Sequence, residues 1–534
     1  MKRCDFLWQY VDYWAGVDPA FPAMHYEART ITYGEFEKLT DTLARAFLDF
    51  GVRKGDTIAT MLPSCPEYVM SLIAADKIGA ILCAMDVKYK AADLRRFLSH
   101  IEPKVIVALS RSDDYDIAEA LESVGTELDT LREIHYLMVG ESAFGKPFDD
   151  VFREDYPDEP LKTAKGNQAL DDGMLIVFTG GTTGVPKAAL LSKQNVTAMA
   201  TIEAEFLYDM LAREGVSGRV KSVASLPPSH VGGTVEMMGT IIAGGLEMII
   251  HDSWSPARVL ETTEAEKVPW MGGVPTMYAI MLLMPDLDTY DLSALKIAVL
   301  SGEKVEQDLL QLIRSKICPN IIIGYGSTEA GSEVTFTDLA DTDAMIVDGY
   351  VGKPLPGMEI RIVDDNDKEL PPSEIGEVLT RGPLTIKGYF KMPDEDRDGF
   401  TGDGFCRTGD LGYLAEDGGL YIKGRKKHII RVGSYTVMPA EVEEVVLQDS
   451  TVGMAAAIGF PDKVLGEVVW LVVSPAPGQT IDERHIVRRC ESELAKFKVP
   501  KRVIVWDELP LTRIGKVHRV KVQNAIIASM EEKE

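Results

Sequence analysis

The segment between residues 179 and 187 holds the residue types best suited to binding a phosphate group. It reads Thr-Gly-Gly-Thr-Thr-Gly-Val-Pro-Lys and directly follows the apolar run 174–178, which is typical of a buried strand. Its glycines let successive backbone N–H groups face one anion, while the hydroxyls and the ammonium add donors. It is not a Walker A loop, because no Gly-Lys-Ser/Thr occurs in it. An ordinary glycine-rich turn with a solvated lysine is the alternative. The predicted phosphate-binding residues are Thr179, Gly180, Gly181, Thr182, Thr183, Gly184 and Lys187.

A second candidate segment, residues 324–331, reads Gly-Tyr-Gly-Ser-Thr-Glu-Ala-Gly and also follows an apolar strand pattern. Open α/β sheets bind ligands at the carboxyl ends of their strands, so we predict a ligand-binding loop here. The Tyr325 ring can stack on a base, Thr328 can bond a phosphate oxygen, and Glu329 can hold a hard cation such as Mg2+. A turn with a capping glutamate is the alternative. Gly324, Gly326 and Ser327 complete the predicted nucleotide site.

Two further sites lie closer to the C-terminus. Asp410, in Arg-Thr-Gly-Asp-Leu, and Arg425 combine a carboxylate with a guanidinium, a pairing that can grip ribose hydroxyls. A surface ion pair is the alternative. Lys516 follows Gly515 in a short segment that could deliver an ammonium to a distant site, and a solvated lysine is the alternative there.

Taken together, these motifs resemble the adenylate-forming superfamily of acyl-CoA synthetases, peptide-synthetase adenylation domains and beetle luciferases. The resemblance runs from about Arg29 to Lys521. Two departures are Gly180, where the family often has serine, and Ala188, where it often has glycine; at most they predict weaker pyrophosphate contact. The matching motifs, in family order, are 179–187, Leu226-Pro227-Pro228-Ser229-His230, Gly273-Val274-Pro275-Thr276, 325–329, 408–411, 424–443 and Gly515-Lys516.

The resemblance implies a reaction in which ATP activates a carboxylic acid. The acid attacks the α-phosphorus, and AMP becomes the leaving group that a carboxylate lacks. The residues of 179–187 would hold the β- and γ-phosphates, Thr328 the α-phosphate and Glu329 the Mg2+. Tyr325 would stack on adenine, Asp410 and Arg425 would bind ribose, and Lys516 would bridge the carboxylate and the α-phosphate.

The family also implies a second step, in which a small C-terminal domain rotates and admits a thiol. The hinge falls on Lys427, the loop around Gly433 would reach the active site, and His230 occupies the position of a gate residue. A structural histidine is the alternative for His230. Small residues predict a pocket for a bulky, ring-shaped or medium-length apolar acid, with no evident charged anchor except the nearby Glu303. The predicted lining is Val231, Gly232, Gly273, Val274, Ser301, Gly302 and Gly331.

Composition and charge set the broad class. The 534 residues, 46% of them hydrophobic, indicate a globular enzyme of at least two domains. Strand patterns alternate with helical ones, which predicts an α/β fold with parallel, helix-covered sheets. The predicted strands of the first part are 57–62, 80–85, 104–109, 174–178, 221–226, 246–250, 295–300 and 320–323. The net charge of −27 argues against a nucleic-acid surface, and no apolar run reaches the roughly 18 residues of a membrane span. Early acidic residues argue against a signal peptide, and the six scattered cysteines suggest reduced thiols without zinc. We therefore expect a cytoplasmic protein, with homodimerisation open.

The charge distribution suggests where the domains divide. From Gly424 onward there are 17 Lys and Arg against 15 Asp and Glu, whereas the preceding part has 39 against 68. We predict an N-terminal AMP-binding domain over 1–426 and a C-terminal mobile α+β domain over 427–534. The family resemblance gives the first domain two helix-covered sheets and a small β-barrel.

The leading functional hypothesis is an acid–CoA ligase that uses ATP, Mg2+ and CoA. An enzyme that loads a carrier-protein thiol is the nearest alternative, and the absence of a carrier domain after Lys516 favours free CoA. A non-catalytic nucleotide-binding protein is the other alternative, which the presence of Lys516, Glu329 and Asp410 disfavours.

Overall fold

The computed structural model describes residues 2–112, 115–153, 155–179, 186–426, 430–432, 435–462, 465–494, 496–511 and 517–531. It divides into two compact units. The first comprises Met1–Ile360 and Leu379–Thr408, and the second comprises Arg361–Val378 and Gly409–Glu534. The predicted domain boundary at residue 427 stays a prediction.

Helices cover the sheets in both units. Residues Gly232–Gly239 form a π-helix, a rare element that is frequent at functional sites. The α-helices are α1 (Leu7–Val17), α2 (Tyr33–Asp49), α3 (Pro66–Ile78), α4 (Ala91–Ile101), α5 (Ile117–Glu127), α6 (Glu159–Gly166), α7 (Lys193–Arg213), α8 (Thr240–Gly244), α9 (Pro256–Ala265), α10 (Pro275–Leu282), α11 (Gln307–Lys316), α12 (Asp343–Val347), α13 (Pro393–Gly399), α14 (Pro439–Leu447), α15 (Glu483–Glu493) and α16 (Arg519–Glu531).

The strands alternate with these helices along most of the chain. They are β1 (Pro22–Tyr26), β2 (Arg29–Thr32), β3 (Thr57–Met61), β4 (Ile81–Ala84), β5 (Val105–Leu109), β6 (Arg111–Ser112), β7 (Tyr115–Asp116), β8 (His135–Val139), β9 (Lys146–Pro147), β10 (Gly173–Thr179), β11 (Lys187–Ser192), β12 (Lys221–Ala224), β13 (Glu247–Ile250), β14 (Trp270–Gly273), β15 (Ile297–Leu300), β16 (Ile321–Ser327), β17 (Ser332–Phe336), β18 (Lys353–Pro354), β19 (Glu359–Val363), β20 (Gly376–Arg381), β21 (Cys406–Leu414), β22 (Leu420–Arg425), β23 (Ile430–Val432), β24 (Tyr435–Val437), β25 (Val452–Asp462), β26 (Gly466–Pro475) and β27 (Arg502–Val505).

Two sheets of the first unit position the candidate site. One has the strand order β11-β10-β4-β3-β5-β8-β9, with all neighbours parallel except the antiparallel pair β10–β11. The other has the order β14-β15-β16-β17-β18, in which the first three strands are parallel. The sheet β12-β13-β1-β2 and the two-stranded sheet β6-β7 also belong to this unit. The α/β class with helix-covered sheets is therefore confirmed.

The second unit is built mainly from two sheets. One is a four-stranded sheet with the order β19-β20-β21-β22. The chain passes from one unit to the other within each of the strands β19, β20 and β21. The other sheet has the order β24-β23-β26-β25, with β27 parallel to β26. The apolar side chains of this second sheet pack against α14 and α15, which gives the unit its own core.

Local sequence signals account for several of these elements. The pattern Thr32-x-x-Glu35 predicts a capping box, and this is confirmed: Thr32 accepts a hydrogen bond from the Glu35 N–H and Glu35 accepts one from the Thr32 N–H. Helix α2 then buries Phe36, Leu43 and Phe47, as its helical spacing predicts. Strand β10 is buried over its centre because both of its neighbours pair with it. Within the part of the chain described, none of the helices combines the length and apolar composition of a membrane span.

Candidate functional site

The ends of the predicted phosphate loop are held together by strand pairing. Thr179 ends β10 and Lys187 begins β11, and the two residues face each other across the antiparallel pair. The two residues that flank the predicted loop are therefore neighbours across this strand pair. The predicted loop residues Gly180, Gly181, Thr182, Thr183 and Gly184 lie outside the described residues, so their role as phosphate ligands stays a prediction.

The second predicted segment is only partly a loop, which corrects the sequence-based expectation. Strand β16 continues through Ser327 because β17 pairs with it, and only residues 328–331 form the turn. The pairing is close at Gly326, where a Cβ would lie 1.8 Å from the Ser332 carbonyl oxygen. Gly331 has a φ of +86°, and a Cβ there would lie 1.7 Å from the Leu384 carbonyl oxygen. Both positions therefore require glycine.

The turn presents the Glu329 carboxylate to the end of β10. The Thr179 hydroxyl donates a hydrogen bond to Glu329 Oε1 over 3.2 Å, and the Tyr389 hydroxyl donates to the same oxygen over 3.2 Å. The Glu329 carbonyl accepts from the Ile386 N–H at 3.1 Å. Thus the structure joins residues from the two predicted motifs, on different sheets, around one carboxylate.

Tyr389 is a site residue that the sequence analysis missed. It bridges to Ala189 of β11, and the Lys187 ammonium lies over its ring, 4.9 Å from the centroid. Burial and the negative charge of Glu329 raise the pKa of the Tyr389 hydroxyl, which therefore stays protonated and acts as a donor. The local sequence around Gly388 and Tyr389 gives only a weak signal of a site residue. Nothing in it indicates that this segment pairs with β11.

The carboxyl ends of three parallel strands bring most of the predicted acid-pocket residues together. Gly273 of β14 accepts a hydrogen bond from the Ser301 N–H at 3.2 Å, and Leu300 of β15 pairs with Ile323, which precedes Gly324. A Cβ on Gly302, whose φ is +81°, would lie 3.7 Å from Val274. Glu303 accepts from the Thr276 hydroxyl at 3.0 Å, so the predicted acidic neighbour is tied to the start of α10.

The segment around His230 leads into the π-helix. The Gly233 N–H donates to the His230 carbonyl, and a Cβ on Gly233 would overlap the Pro227 carbonyl oxygen at 2.2 Å. His230 is exposed and Val231 and Gly232 are half-buried, so all three can meet a ligand. Surrounding protein atoms displace water from the imidazole, which lowers the pKa of His230 and favours its neutral form. Its gate role stays a prediction.

The second unit contains the predicted ribose-binding pair. Asp410 of β21 and Arg425 of β22 lie opposite each other, and Arg425 Nε lies 2.6 Å from Asp410 Oδ1. Asp410 is buried and Arg425 is exposed, so the pair presents its cationic side to solvent. The predicted Lys427, Gly433 and Lys516 lie outside the described residues, and their roles stay predictions.

The donor set suits a nucleotide with a hard cation. Glu329 and the hydroxyls beside it offer oxygen ligands, which Mg2+ prefers, and Lys187 adds a positive charge for phosphate. Across the described residues, no group of three or more His, Cys, Asp or Glu side chains is arranged to hold a metal alone. Proteins usually bind Mg2+ through one or two carboxylates together with substrate phosphates, so a single carboxylate such as Glu329 can be a sufficient protein ligand.

Comparisons with known proteins agree with this geometry. The family described as "AMP-binding enzyme" matches residues 11–390, and the "AMP-binding enzyme C-terminal domain" matches 441–516. A long-chain-fatty-acid–CoA ligase of Bacillus subtilis is 31% identical, with 94% of this chain and 91% of that protein covered. An indoleacetate–CoA ligase of Aromatoleum aromaticum is 27% identical, with 97% and 98% covered.

A solved structure supports the fold and the use of ATP. ATP-bound MatB from Rhodopseudomonas palustris superimposes with a TM-score of 0.82 at 26% identity, covering 96% of this chain and 98% of that one. It shares the organisation into a large N-terminal and a small C-terminal domain. On these grounds the chain belongs to the family of AMP-binding, adenylate-forming enzymes, as an ATP-using, AMP-forming acid–thiol ligase of the acyl-CoA synthetase type.

Proposed function

We propose that this enzyme joins a medium-chain, aromatic or alicyclic carboxylic acid to CoA. A carboxylate oxygen of the acid attacks the α-phosphorus of ATP, and pyrophosphate leaves. The thiol sulfur of CoA then attacks the carbonyl carbon of the acyl-adenylate, AMP leaves, and the thiol proton passes to solvent. The relatives named for indoleacetate and for long-chain fatty acids support an apolar acid, aromatic or aliphatic.

The observation that carries this proposal is the shared carboxylate of Glu329. Its hydrogen bonds from Thr179, at the end of β10, and from Tyr389, whose ring also contacts the Lys187 ammonium, fix its orientation. We assign Glu329 to Mg2+, which when bound would neutralise charge on the phosphates. Lys187 and the hydroxyl groups of residues 179–183 would hold the β- and γ-phosphates, and Thr328 the α-phosphate. Fixed donors aimed at developing charge are usually the largest contribution to catalysis.

The acid pocket is assigned to the carboxyl ends of β14–β16 and to the start of the π-helix. A Cβ at Gly232 would have no neighbouring atom nearer than 3.6 Å, so this glycine leaves room for part of the acyl group. The space beside Gly273 is occupied by Met277 and Tyr278, and the space beside Gly331 by the Leu384 carbonyl, which corrects the expectation for these two glycines. In the second unit, we assign ribose binding to Asp410 with Arg425 and the bridging ammonium to Lys516. Residues 427–534 are proposed as the C-terminal domain of the enzyme.

A screen of acids tests the reaction and its substrate class together. Pyrophosphate release is measured with aromatic, alicyclic and aliphatic acids, with and without CoA, and the products are identified by mass spectrometry. We expect release with several acids, and acyl-CoA only when CoA is added. Hydrolysed ATP without any thioester would contradict the assignment to CoA.

A substitution at Lys516 separates the two steps. Lys516→Ala is expected to abolish adenylate formation, because the bridging cation is lost, yet to leave thioester formation from supplied acyl-AMP largely intact. Lys521→Ala, a lysine that we place outside the site, is the matched control. Equal loss in both half-reactions of Lys516→Ala would refute the role of this lysine.

A further inference from the structure

Three glutamate side chains meet behind the predicted acid pocket. Glu203 of α7 and Glu333 of β17 are 6% and 4% exposed, whereas Glu236 of the π-helix is half-buried. Glu203 accepts a hydrogen bond from the Thr240 hydroxyl at 2.9 Å and Glu236 accepts one from the Ser332 hydroxyl, while the Ser301 side chain lies beside Glu333. Because these glutamates come from three separate elements, only the folded chain brings them together.

Charges inside this acidic cluster (Glu203, Glu236 and Glu333) repel one another. Burial raises the pKa of all three carboxyl groups, and the negative charge of Glu236 raises the pKa of the other two further. Among the described residues, no lysine, arginine or histidine forms an ion pair with any member. The described residues therefore supply no cation that would stabilise the charged form of the cluster.

Other buried carboxylates in this chain are paired with cations. The described residues include eight buried aspartates and glutamates, and six of them form an ion pair with lysine, arginine or histidine. Glu203 and Glu333 are the two exceptions. The six paired residues are Asp76, Glu247, Glu377, Asp410, Glu443 and Asp449.

The position of Glu333 links the cluster to the acid pocket. A Cβ built on Gly324 would lie 2.9 Å from the Glu333 carboxyl carbon, and Ser301, which lies beside Glu333, is itself a predicted pocket residue. Glu236 Oε2 lies 3.6 Å from a Cβ built on Gly232. The cluster thus borders three positions that the sequence analysis assigned to the pocket or to the nucleotide site beside it.

One oxygen in the cluster is left without a partner. Within the described part of the chain, Glu333 Oε2 is buried and has no hydrogen-bond partner. Proteins satisfy the great majority of buried polar atoms, so this oxygen is available to accept a hydrogen bond from a ligand in the neighbouring pocket. A metal ion does not fit, since the described residues contain no metal-binding arrangement of carboxylates. A hydrogen-bond donor would satisfy Glu333 Oε2, and a cationic donor would also reduce the repulsion among the three glutamates.

We propose that Glu333 and Glu236 bind a protonated amino group carried by the acyl portion of the carboxylic acid substrate. This inference rests on the proposed function and narrows it to amine-bearing acids. It also revises the expectation that the pocket has no charged anchor apart from Glu303. The anchor is formed by residues 97 positions apart in the sequence, so only the fold reveals it.

Matched sets of acids test this inference. Each set contains a parent alkanoate or cycloalkane carboxylate, its terminal alkylamino counterpart and its hydroxyl counterpart, all assayed for acyl-CoA formation. We expect kcat/KM for the amino-substituted acid of each set to exceed kcat/KM for its parent acid by at least about tenfold, because a charge-assisted hydrogen bond contributes that much. Higher kcat/KM for the parent or for the hydroxyl counterpart would overturn the inference and leave the ligase assignment intact. No thioester with any acid would overturn both.

Substitutions then test the residues. Glu333→Gln keeps the size of the side chain and removes its charge, so the ratio of amino acid to parent kcat/KM should fall about 10- to 100-fold. Glu247→Gln, a buried glutamate already paired with Lys221, is the control and should leave that ratio unchanged. Glu236→Gln repeats the test at a half-buried position if Glu333→Gln fails to fold. An unchanged ratio in a folded variant of either residue would overturn the assignment.

Discussion

Replacing Tyr389 with phenylalanine removes one hydroxyl from the environment of Glu329 and leaves the ring in place. The contact of the Lys187 ammonium with the ring therefore survives, as does the bridge between Tyr389 and Ala189 of β11. The expected change is confined to the Glu329 carboxylate, which keeps its hydrogen bond from Thr179 and loses the one from Tyr389. We treat Tyr389 as a positioning residue, because it acts through Glu329.

The magnitude follows from the two donor–acceptor distances. Hydrogen bonds to charged groups contribute about 1.5–3 kcal/mol. Both bonds to Glu329 Oε1 measure 3.2 Å, longer than the usual distance of about 2.7–2.8 Å between two oxygens, so the low end of that range applies. About 1.4 kcal/mol corresponds to a tenfold change in rate. We therefore expect Tyr389→Phe to lower kcat/KM about tenfold at subsaturating Mg2+.

Pyrophosphate release measured across a Mg2+ titration provides the assay. If Tyr389 orients the Mg2+ ligand, the variant should need more Mg2+ for half-maximal rate, and excess Mg2+ should recover part of the loss. Thioester formation from supplied acyl-AMP should be unchanged. Thr179→Val and the double variant complete a double-mutant cycle, in which non-additive losses are expected because both hydroxyls donate to one oxygen.

Two results would refute this reasoning. A wild-type Mg2+ dependence in Tyr389→Phe would show that the hydroxyl does not act through Glu329. Strict additivity in the cycle would show that Thr179 and Tyr389 act independently. Tyr290→Phe, which removes an exposed hydroxyl outside the site, controls for unspecific effects on stability.

Three further substitutions have defined outcomes. Gly331→Ala should destabilise the protein by about 2–5 kcal/mol, because the added Cβ would overlap a backbone oxygen. Its control is Gly404→Ala, at a residue with a similar φ of +85° but with open space around it, which should cost only about 1–2 kcal/mol. Equal shifts in the melting temperatures of the two variants would contradict the argument. Lys193→Met should lower the free energy of unfolding by about 3–5 kcal/mol, measured by chemical denaturation, because it leaves the buried Asp76 without its cation. Adding Asp76→Asn should restore much of the lost stability. If the double variant is no more stable than Lys193→Met, charge burial is not the cause. Asp410→Asn should raise KM for ATP about tenfold in pyrophosphate-release assays, and an unchanged KM would remove the ribose assignment.

Sequence patterns predicted most strands of the first unit because these strands are buried. Apolar runs between turn-forming residues are reliable signals when both faces of a strand are covered, as they are in β3 and β10. Their ends were less predictable. The apolar pattern predicted a strand over 320–323 that ends at Ile323, because Gly324 and Gly326 indicate a loop. In the structure, antiparallel pairing with β17 extends this strand, β16, to Ser327. Backbone pairing is not visible in local composition.

The candidate site divides along the same line. Thr179, Lys187 and Glu329 were predicted because glycine-rich segments after strands carry a local signature. Tyr389 and Glu333 were missed for a different reason: each depends on a neighbour far away in the sequence, and neither lies in a segment with distinctive composition. Tyr389 matters only because its segment pairs with β11, and Glu333 only because Glu236 and Ser301 lie beside it.

The pairing of residues 388–390 with β11 makes the site depend on a third segment of chain. The Phe390 N–H donates to the Ala188 carbonyl at 2.8 Å, and the Leu190 N–H donates to the Gly388 carbonyl at 3.3 Å. These bonds fix Tyr389 between the ammonium of Lys187 and the carboxylate of Glu329. A shift of this segment would therefore move the expected phosphate ligand and the expected Mg2+ ligand together. Because one segment positions both, perturbations there should change the dependence on ATP and on Mg2+ in parallel, whereas substitution of Lys187 alone should change chiefly the former.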